Sequence, residues 1–485
     1  MASASLDFSQ EPLYRTVAAE QDIIFSILED TGIVANESKV KFIARVNVGS
    51  DSSALTEIGV FKTTPNAAER GIFDFSTILK NYVNPDYTGM SDTLTTSTFK
   101  GTNYSDINYH PIHVIDSFCL GHSSTKWFQI DFTIEYVGAD PSYPDLVAED
   151  TSDSLSSYKH YLYNGVVYDT DPLKSLYSLS YRFGYDLDTA GYICNATTTA
   201  TAGALSDAPK VQYARLTDYG TLPYFTGMTN ATTYGFSVKI MGVVDVTMYN
   251  DAGGTLGSFT FIPSSTNGGY MGGSSTSLSE GNLMYIGCFP ANFDGAGYAT
   301  WNTNKAACSY YTVQPETTGG ISLGQLYTIN IICDDVRGHE GIRLTWLNKH
   351  GTWDYYTFNK KSVRSVSSKR KTYTQLGGTW NESTYKLYSS SGGKKNYKVD
   401  SKEKIKVNTD YVSESESVWF EQLMNSPEVF ILNGFQSDTG GVLRRYVQPV
   451  TITTSNYTRK TVANDRLIQY SFEVERTTNL RTQSV

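Results

Sequence analysis

Six histidines (His110, His113, His122, His160, His339, His350) and five cysteines (Cys119, Cys194, Cys288, Cys308, Cys333) are the chain's supply of imidazole and thiol chemistry. A helix-borne zinc site needs its histidines one turn apart, and no H-E-x-x-H or H-x-x-x-H array occurs. His110 and His113 flank Pro111 at a spacing that suits loop ligands but equally describes a solvated loop. Cys333-Asp334-Asp335 with His339 offers ligand types without a set of four. Asp186-Leu187-Asp188-Thr189-Ala190-Gly191 begins like a calcium loop but lacks the third acidic ligand and the distal Glu. Ser123 to Lys126 gives an S-x-x-K string without the companion motifs of Ser/Lys hydrolases. No G-x-S-x-G and no phosphate-cradling glycine loop before a Lys is present. Paired carboxylates for glycoside chemistry are a spatial signature, and with 49 acids any sequential pair is uninformative. The expectation is a protein without catalytic residues, metal or cofactor. The cysteines, odd in number and never in C-x-x-C, are expected to be reduced core residues of a protein made in a cytosol.

Adhesion is the chemistry better supplied. Aromatic residues make up 13% of the chain and include 36 Tyr, whereas charged residues reach only 18%, below the usual quarter or so. Trp346, Trp353, Tyr355 and Tyr356 fall on two adjacent apolar runs and Trp419 on a later one. Alternation places them on both faces of their elements, so one set is core and the opposite set needs a second layer or another subunit; core packing is the first account, with carbohydrate stacking or a subunit interface as the alternatives. Lys369, Arg370 and Lys371 form a basic run nearby. These eight residues are the candidate subunit interface. Charge is split along the chain: from Glu340 onward 22 Lys and Arg stand against 14 Asp and Glu, a net +8, and the preceding residues carry 17 against 35, a net −18. Opposite potentials on one chain suit docking between copies. The basic run is too short, and the chain too acidic, to make nucleic acid the expected partner.

The elements that must position these residues read as strands. Phe42, Ala44, Val46 and Val48 alternate, as does WFQIDFTIEYV at Trp127–Val137. Val17–Ala19 and Ile23–Leu28 allow a short helix, the second piece equally a strand, and Gly71–Val83 reads as a strand passing into a helical turn. Residues 236–263 read as a long hairpin turning at Asn250–Gly254, and Ile342–Leu347 with Trp353–Phe358 as another turning at Asn348–Gly351. Ala196–Ala204 and Ser264–Ser279 read as surface loops. One helix is expected, Ser413–Asn425, with a Ser cap, Glu414 and Glu416 in its first turn and Pro427 just past its end. The fold class is therefore all-β, a multi-domain β-sandwich or β-barrel protein with one short C-terminal helix. The expected domains are 1–140, 141–338 and 339–485. The start, MASASLDFSQEPLYRT, lacks the basic and apolar regions of a signal peptide, and no apolar run of 18 residues suggests a membrane span.

The C-terminal third also carries a resemblance. IRLTWLNKHGTWDYYTFNKK (Ile342–Lys361), YTQLGGTW (Tyr373–Trp380), SVWFEQLMNSPEVFIL (Ser417–Leu432), VQPVTI (Val447–Ile452) and DRLIQYSFEVERT (Asp465–Thr477) resemble virion structural proteins of tailed bacteriophages, of the tail, baseplate and hub type. VFKTTPNAAERGIFDFSTILKNYV (Val60–Val83) fits the same group, and the acidic middle of the chain matches nothing in it. The resemblance implies an oligomeric scaffold in a phage tail, hub or baseplate, synthesised in the host cytoplasm, with copies of itself and other virion proteins as partners. A receptor- or glycan-binding adhesin or fibre protein, and a head–tail connector or collar protein, are the alternatives.

Overall fold

The computed structural model describes residues 5–50, 52–85, 98–99, 102–103, 118–120, 123–169, 171, 173–177, 181–185, 187, 191–194, 203–226, 241–261, 282–296, 298–317, 319–332, 335–336, 339–432, 447–461, 467–477 and 481–484. Among them strands take 51% and helices 10%, so the fold is all-β with several open sheets, consistent with a multi-domain β-sandwich protein. The chain divides into two compact units, residues 1–332 with 347–354, and residues 333–346 with 355–485.

The first unit holds two apolar cores. Around one, a five-stranded sheet runs Leu173–Tyr177, Tyr181–Tyr185, Leu6–Pro12, Ile24–Glu29, Arg70–Asp74. Its partner runs Thr16–Glu20, His160–Val166, Thr125–Val137, Lys41–Gly49, Thr56–Thr63, with Val147–Ser156 also pairing Thr125–Val137. Register explains the alternation seen in the sequence. Ala44 lies opposite Phe132 and Val46 opposite Ile130, and these side chains share a core with Phe25 and Phe73 of the facing sheet. The outward positions are polar: both terminal nitrogens of Arg45 donate to Glu149 at 2.6 Å, and Asn47 donates to Asp131 at 2.8 Å. Val17 to Ala19 lie in a strand rather than a helix, because their small side chains are buried against that sheet pair. The expected strand-to-helix passage occurs at Arg70–Asp74 and Ser76–Leu79.

The second core of this unit lies between a four-stranded sheet (Ile193–Cys194, Thr221–Thr226, Asn282–Gly287, Phe118–Leu120) and a five-stranded one (Val211–Ala214, Tyr327–Ile331, Tyr310–Glu316, Val243–Tyr249, Thr255–Phe261). The Val243–Tyr249 and Thr255–Phe261 strands form the described part of the first expected hairpin. Gly253 takes φ +78°, and the Asn250 side chain accepts the Gly254 N–H at 2.7 Å. Two helices, Pro290–Ala296 and Ala299–Asn304, were not expected. They are too short to show periodicity, and Phe293 and Trp301 hold them by packing on Tyr311. Cys288 and Cys308 are buried free thiols.

A further sheet, whose strands belong to the second unit except for Leu347, Trp353 and Asp354, runs Trp353–Phe358, Ile342–Leu347, Val429–Leu432, Val447–Ile452, Ser471–Arg476, Gly393–Asn408, Val363–Gln375, with Arg481–Ser484 also on Gly393–Asn408. The expected helix spans Glu414–Asn425 behind a capping box. Glu416 N–H donates to the Ser413 hydroxyl at 3.3 Å, and Ser413 N–H donates to the Glu416 carboxylate at 2.6 Å. Its apolar face buries Trp419, Phe420 and Leu423. Trp419 meets Trp346 at 4.9 Å between ring centroids, and Phe420 meets Phe472 at 5.7 Å.

Candidate functional site

The 13 residues of Val363–Gln375 pair in register with the 16-residue strand Gly393–Asn408. At about 3.4 Å per residue the shorter strand alone is roughly 40 Å long. Every residue from Val363 to Thr374 is exposed, so neither face of this strand is covered. A two-stranded ribbon exposed on both faces is marginal in water, and this one is held at its root. There Ile405 and Val407 are fully buried, and Lys404–Asn408 pairs with Ser471–Glu475. Lys398–Ser401 pairs with Arg481–Ser484. Beyond that point the described ribbon has only its own cross-strand pairing. It is an arm.

Its charge is one-sided. Between Val363 and Asn408 there are 11 Lys and Arg and three Asp and Glu, a net +8, and the rest of the chain carries −18. The whole basic excess of the C-terminal third thus sits on the arm. Register sets Lys398, Lys402, Lys404 and Lys406 on the same face as Lys369 and Lys371. Lys404 reaches Glu473 at 2.8 Å, Lys402 pairs with Glu475, and Lys398 is 3.4 Å from Asp400. Among the described residues Lys369, Arg370, Lys371 and Lys406 form no ion pair. Lys371 lies directly opposite Lys398, a like-charge pairing that weakens a ribbon.

The tip, residues 376–392, is aromatic where turns are usually polar. Trp380 is 69% and Leu387 68% exposed, and Leu376, Tyr385 and Tyr388 are exposed with them. Backbone bonds give the tip a defined shape. The Trp380 indole N–H donates to Gly377 O at 2.7 Å, Thr379 Oγ1 to Thr384 O at 3.0 Å, and Lys386 N–H to Thr379 Oγ1 at 2.8 Å. The Trp380 and Tyr385 rings meet edge-on at 5.3 Å. Gly378 at φ +88° permits that contact, since a Cβ there would lie 2.3 Å from the Tyr385 ring. Basic ribbon and ordered aromatic tip together present positive charge and apolar surface side by side.

Of the expected interface residues, Lys369, Arg370 and Lys371 are exposed on this arm. Trp346, Trp353, Tyr355 and Trp419 are 5% exposed or less, so the chain itself covers them. Tyr356 is half-buried, and its hydroxyl accepts the Asp410 N–H at 3.2 Å. Sequence reasoning missed the tip. Its signal was an aromatic stretch, Trp380 to Tyr388, bracketed by Gly377-Gly378 and Gly392-Gly393.

A second cluster, inside the first unit, gathers the titratable groups. Lys349 Nζ lies 3.0 Å from Asp171 and 3.2 Å from Asp207. His350 Nε2 is 3.6 Å from Asp207, and the Tyr192 hydroxyl donates to Asp207. Burial alone would raise the Asp207 carboxyl. Contact with His350, the Lys349 charge and the Tyr192 bond overcome that and hold it well below the usual carboxylate range. Burial likewise would lower Lys349, but Asp207 and Asp171 raise it instead. The turn carrying Lys349 and His350 is bonded in place. Val166 N–H donates to Lys349 O at 2.7 Å, Thr352 Oγ1 to Leu205 O at 2.7 Å, and Asn348 Nδ2 to Asp354 at 3.0 Å. The ion pairs and backbone bonds of this cluster fix the position of the loop that carries Lys349.

His160 is buried, its Nδ1 3.1 Å from Tyr14 O, and Lys126 donates to Ser50 at 2.8 Å. His110, His113, His122, Cys333, Asp334, Asp186 and 188–190 lie outside the described residues, as do the side chains of Cys119 and Cys194, the loop 264–279 and 236–240 of the first hairpin. Among the described residues no three His, Cys, Asp or Glu converge as metal ligands, and no helix is long and apolar enough to cross a membrane.

No family description matches the chain, and no curated protein does. Among solved structures, Escherichia coli alpha-2-macroglobulin in its native conformation aligns at 7% identity and a TM-score of 0.18, over 84% of this chain and 22% of that one. A Salmonella alpha-2-macroglobulin mutant aligns at 6% and 0.19, over 100% of this chain and 31% of that one. A marsupial T cell receptor aligns at 9% and 0.14, over 83% and 95%. The chain thus spans less than a third of the length of the macroglobulins it aligns with. Scores this low carry no argument.

Proposed function

We propose that this protein is a non-catalytic structural subunit of a tailed-phage virion, an oligomeric scaffold in the tail, hub or baseplate that meets copies of itself and other virion proteins. The observation that carries the reading is the arm, a basic ribbon with both faces uncovered and an ordered aromatic tip. Exposed Trp and Tyr are the residue types that most often dominate binding energy at interfaces, and each buries about 150–250 Å² when covered. The phrase-like series of segments from Ile342 to Thr477 supports the phage setting. Mass spectrometry of purified tailed-phage particles encoding the chain tests it: several copies per particle are expected, and absence from the particle ends the reading.

The exposed Trp380, Tyr385 and Tyr388 also favour a second reading, a glycan-binding adhesin, because aromatic faces stack on sugars. A glycan array probed with the full chain separates the two. Binding that disappears in Trp380→Ala supports the adhesin, and silence supports the scaffold.

A further inference from the structure

One concave site in the first unit complements the arm. A cavity of about 300 Å³ is lined by Thr31, Gly32, Ile33, Asn36, Glu37 and Tyr136–Gly138 with Pro144. That is the lower end of the range for cavities that accept a small organic group. The lining mixes apolar Ile33, Val137 and the Tyr136 ring with polar Thr31 and Asn36 and the acidic Glu37. Within the two segments that frame it, residues 29–39 and 136–147, Glu29, Asp30, Glu37, Asp140 and Asp145 stand against the single cation Lys39. Burial, reinforced by Asp150, Glu37 and Glu29, pushes the Tyr136 hydroxyl up to about 12, so it stays a neutral donor under ordinary conditions. On the rim Tyr143 is 60% exposed, and Leu146 and Val147 are exposed beside it. Gly138, at φ +87°, shapes the rim by letting its N–H donate to Leu146 O at 3.0 Å.

We infer that the arm of one copy docks on this cavity of a second copy, the Trp380–Tyr385 tip entering it and the neighbouring lysines facing its acidic rim. The inference rests on the scaffold reading and names its partner surface. Charge complementarity selects the occupant: the arm holds +8 while the rest of each chain holds −18, so the arm is attracted to the remainder of a second copy once the two are within about a Debye length. Lys386 and Lys394, which form no ion pair among the described residues, lie on and beside the tip and are the cations nearest the aromatic pair in sequence. Shape agrees, since an anchor ring in a desolvated pocket ringed by charge is the usual form of an interface hot spot. The contact joins two different surfaces, so it either closes by reciprocal exchange of arms in a two-fold dimer or propagates head to tail into a ring or filament.

Sedimentation of the full chain at increasing concentration tests this with four proteins besides the wild type. Trp380→Ala, the pair Lys386→Glu with Lys394→Glu, and the pair Asp140→Lys with Asp145→Lys are each expected to weaken self-association at least about tenfold, the scale of a close charge pair. Combining the two charge-reversed pairs is expected to restore it to within about threefold, because only a direct contact is rescued by exchanging signs. Of the five substituted residues four are exposed and Asp140 is half-buried, and unchanged unfolding midpoints establish that each variant folds. A monomeric wild type at about 100 μM, a combined variant as weak as either parent, or an arm that instead binds a 30-base-pair duplex and loses it in Lys386→Glu with Lys394→Glu overturns the inference. Rescue without presence in purified particles leaves the docking and removes the virion reading. Presence in particles without rescue does the reverse.

Discussion

Two hairpin turns in this chain invert the ordinary rule for turns. The turn Asn348–Thr352 is polar and charged, yet Asn348, His350 and Thr352 are 4% exposed or less. The tip 376–392 is aromatic, yet Trp380, Tyr385 and Leu387 lie mostly in water. Buried polar groups are tolerated when bonded, and the first turn meets that condition through Asp171, Asp207, Leu205 and Val166. Exposed apolar groups are tolerated at little cost to the fold, but a cluster of them in a fixed shape leaves association energy unused. The difference separates groups the chain has used to hold itself from groups its own fold leaves unused. Substitutions in the two turns should therefore fail in different assays.

The largest effect is expected at Gly351. Its φ is +76°, and a Cβ there would lie 1.8 Å from the Asn164 carbonyl oxygen, a backbone atom that cannot step aside. Gly351→Ala should cost more than about 4 kcal/mol in denaturant unfolding, the exceptional end of the range for single substitutions. Next is Lys349→Met, which leaves Asp171 and Asp207 buried without their cation. Removing one partner of a buried pair costs about 3–5 kcal/mol. Neither change is expected to alter the arm's contribution to association, measured on whatever fraction remains folded.

The same cluster fixes a pH dependence. The folded Asp207 carboxyl is held below its unfolded value of about 3.9, so its stabilising contribution is complete above that pH and fades as pH falls through the folded value. Wild type should therefore exceed Asp207→Asn in stability by the most near pH 7, and the gap should narrow steadily from about pH 4 to pH 2. A gap independent of pH would mean that Asp207 acts by shape alone.

Much of the fold was legible because period-two alternation in Phe42–Val48 and Trp127–Val137 records burial on one face. The cap of Glu414–Asn425 was legible for a similar reason, since Ser413 and Glu416 bond each other across three residues. Position in space was not. Trp346 and Trp353 look like interface residues in a string of letters, and only the packing of Trp346 on Trp419 and Phe420 shows that they are spent on the core. The arm hid for the opposite reason. Val363–Gln375 mixes serine, valine, lysine and arginine without an apolar face, so periodicity gave no signal there. The Lys349 cluster joins positions 142 or more residues apart, Asp207 to Lys349 and Asp171 to Lys349, a distance no local pattern spans.

Two smaller effects sharpen the contrast on the arm. Gly378→Ala forces a left-handed residue onto a side chain and crowds the Tyr385 ring, a strain of about 1–2 kcal/mol. Because the tip is exposed and that ring is free to swing outward, the cost should stay local. Faster hydrogen exchange at the Lys386 amide, which donates to Thr379, is the expected readout, with the global unfolding midpoint unmoved.

The smallest stability effect is expected for Trp380→Ala. The side chain is already 69% exposed, so little apolar area returns to water on unfolding, and a surface substitution of this kind moves stability by no more than about 0.5 kcal/mol. The indole N–H bond to Gly377 O lies in water and is replaced by a water bond. A loss of 2 kcal/mol or more would show that the tip belongs to the chain's own framework, which would erase the distinction between the two turns. Near-neutral unfolding together with impaired self-association would locate the work of Trp380 outside its own chain.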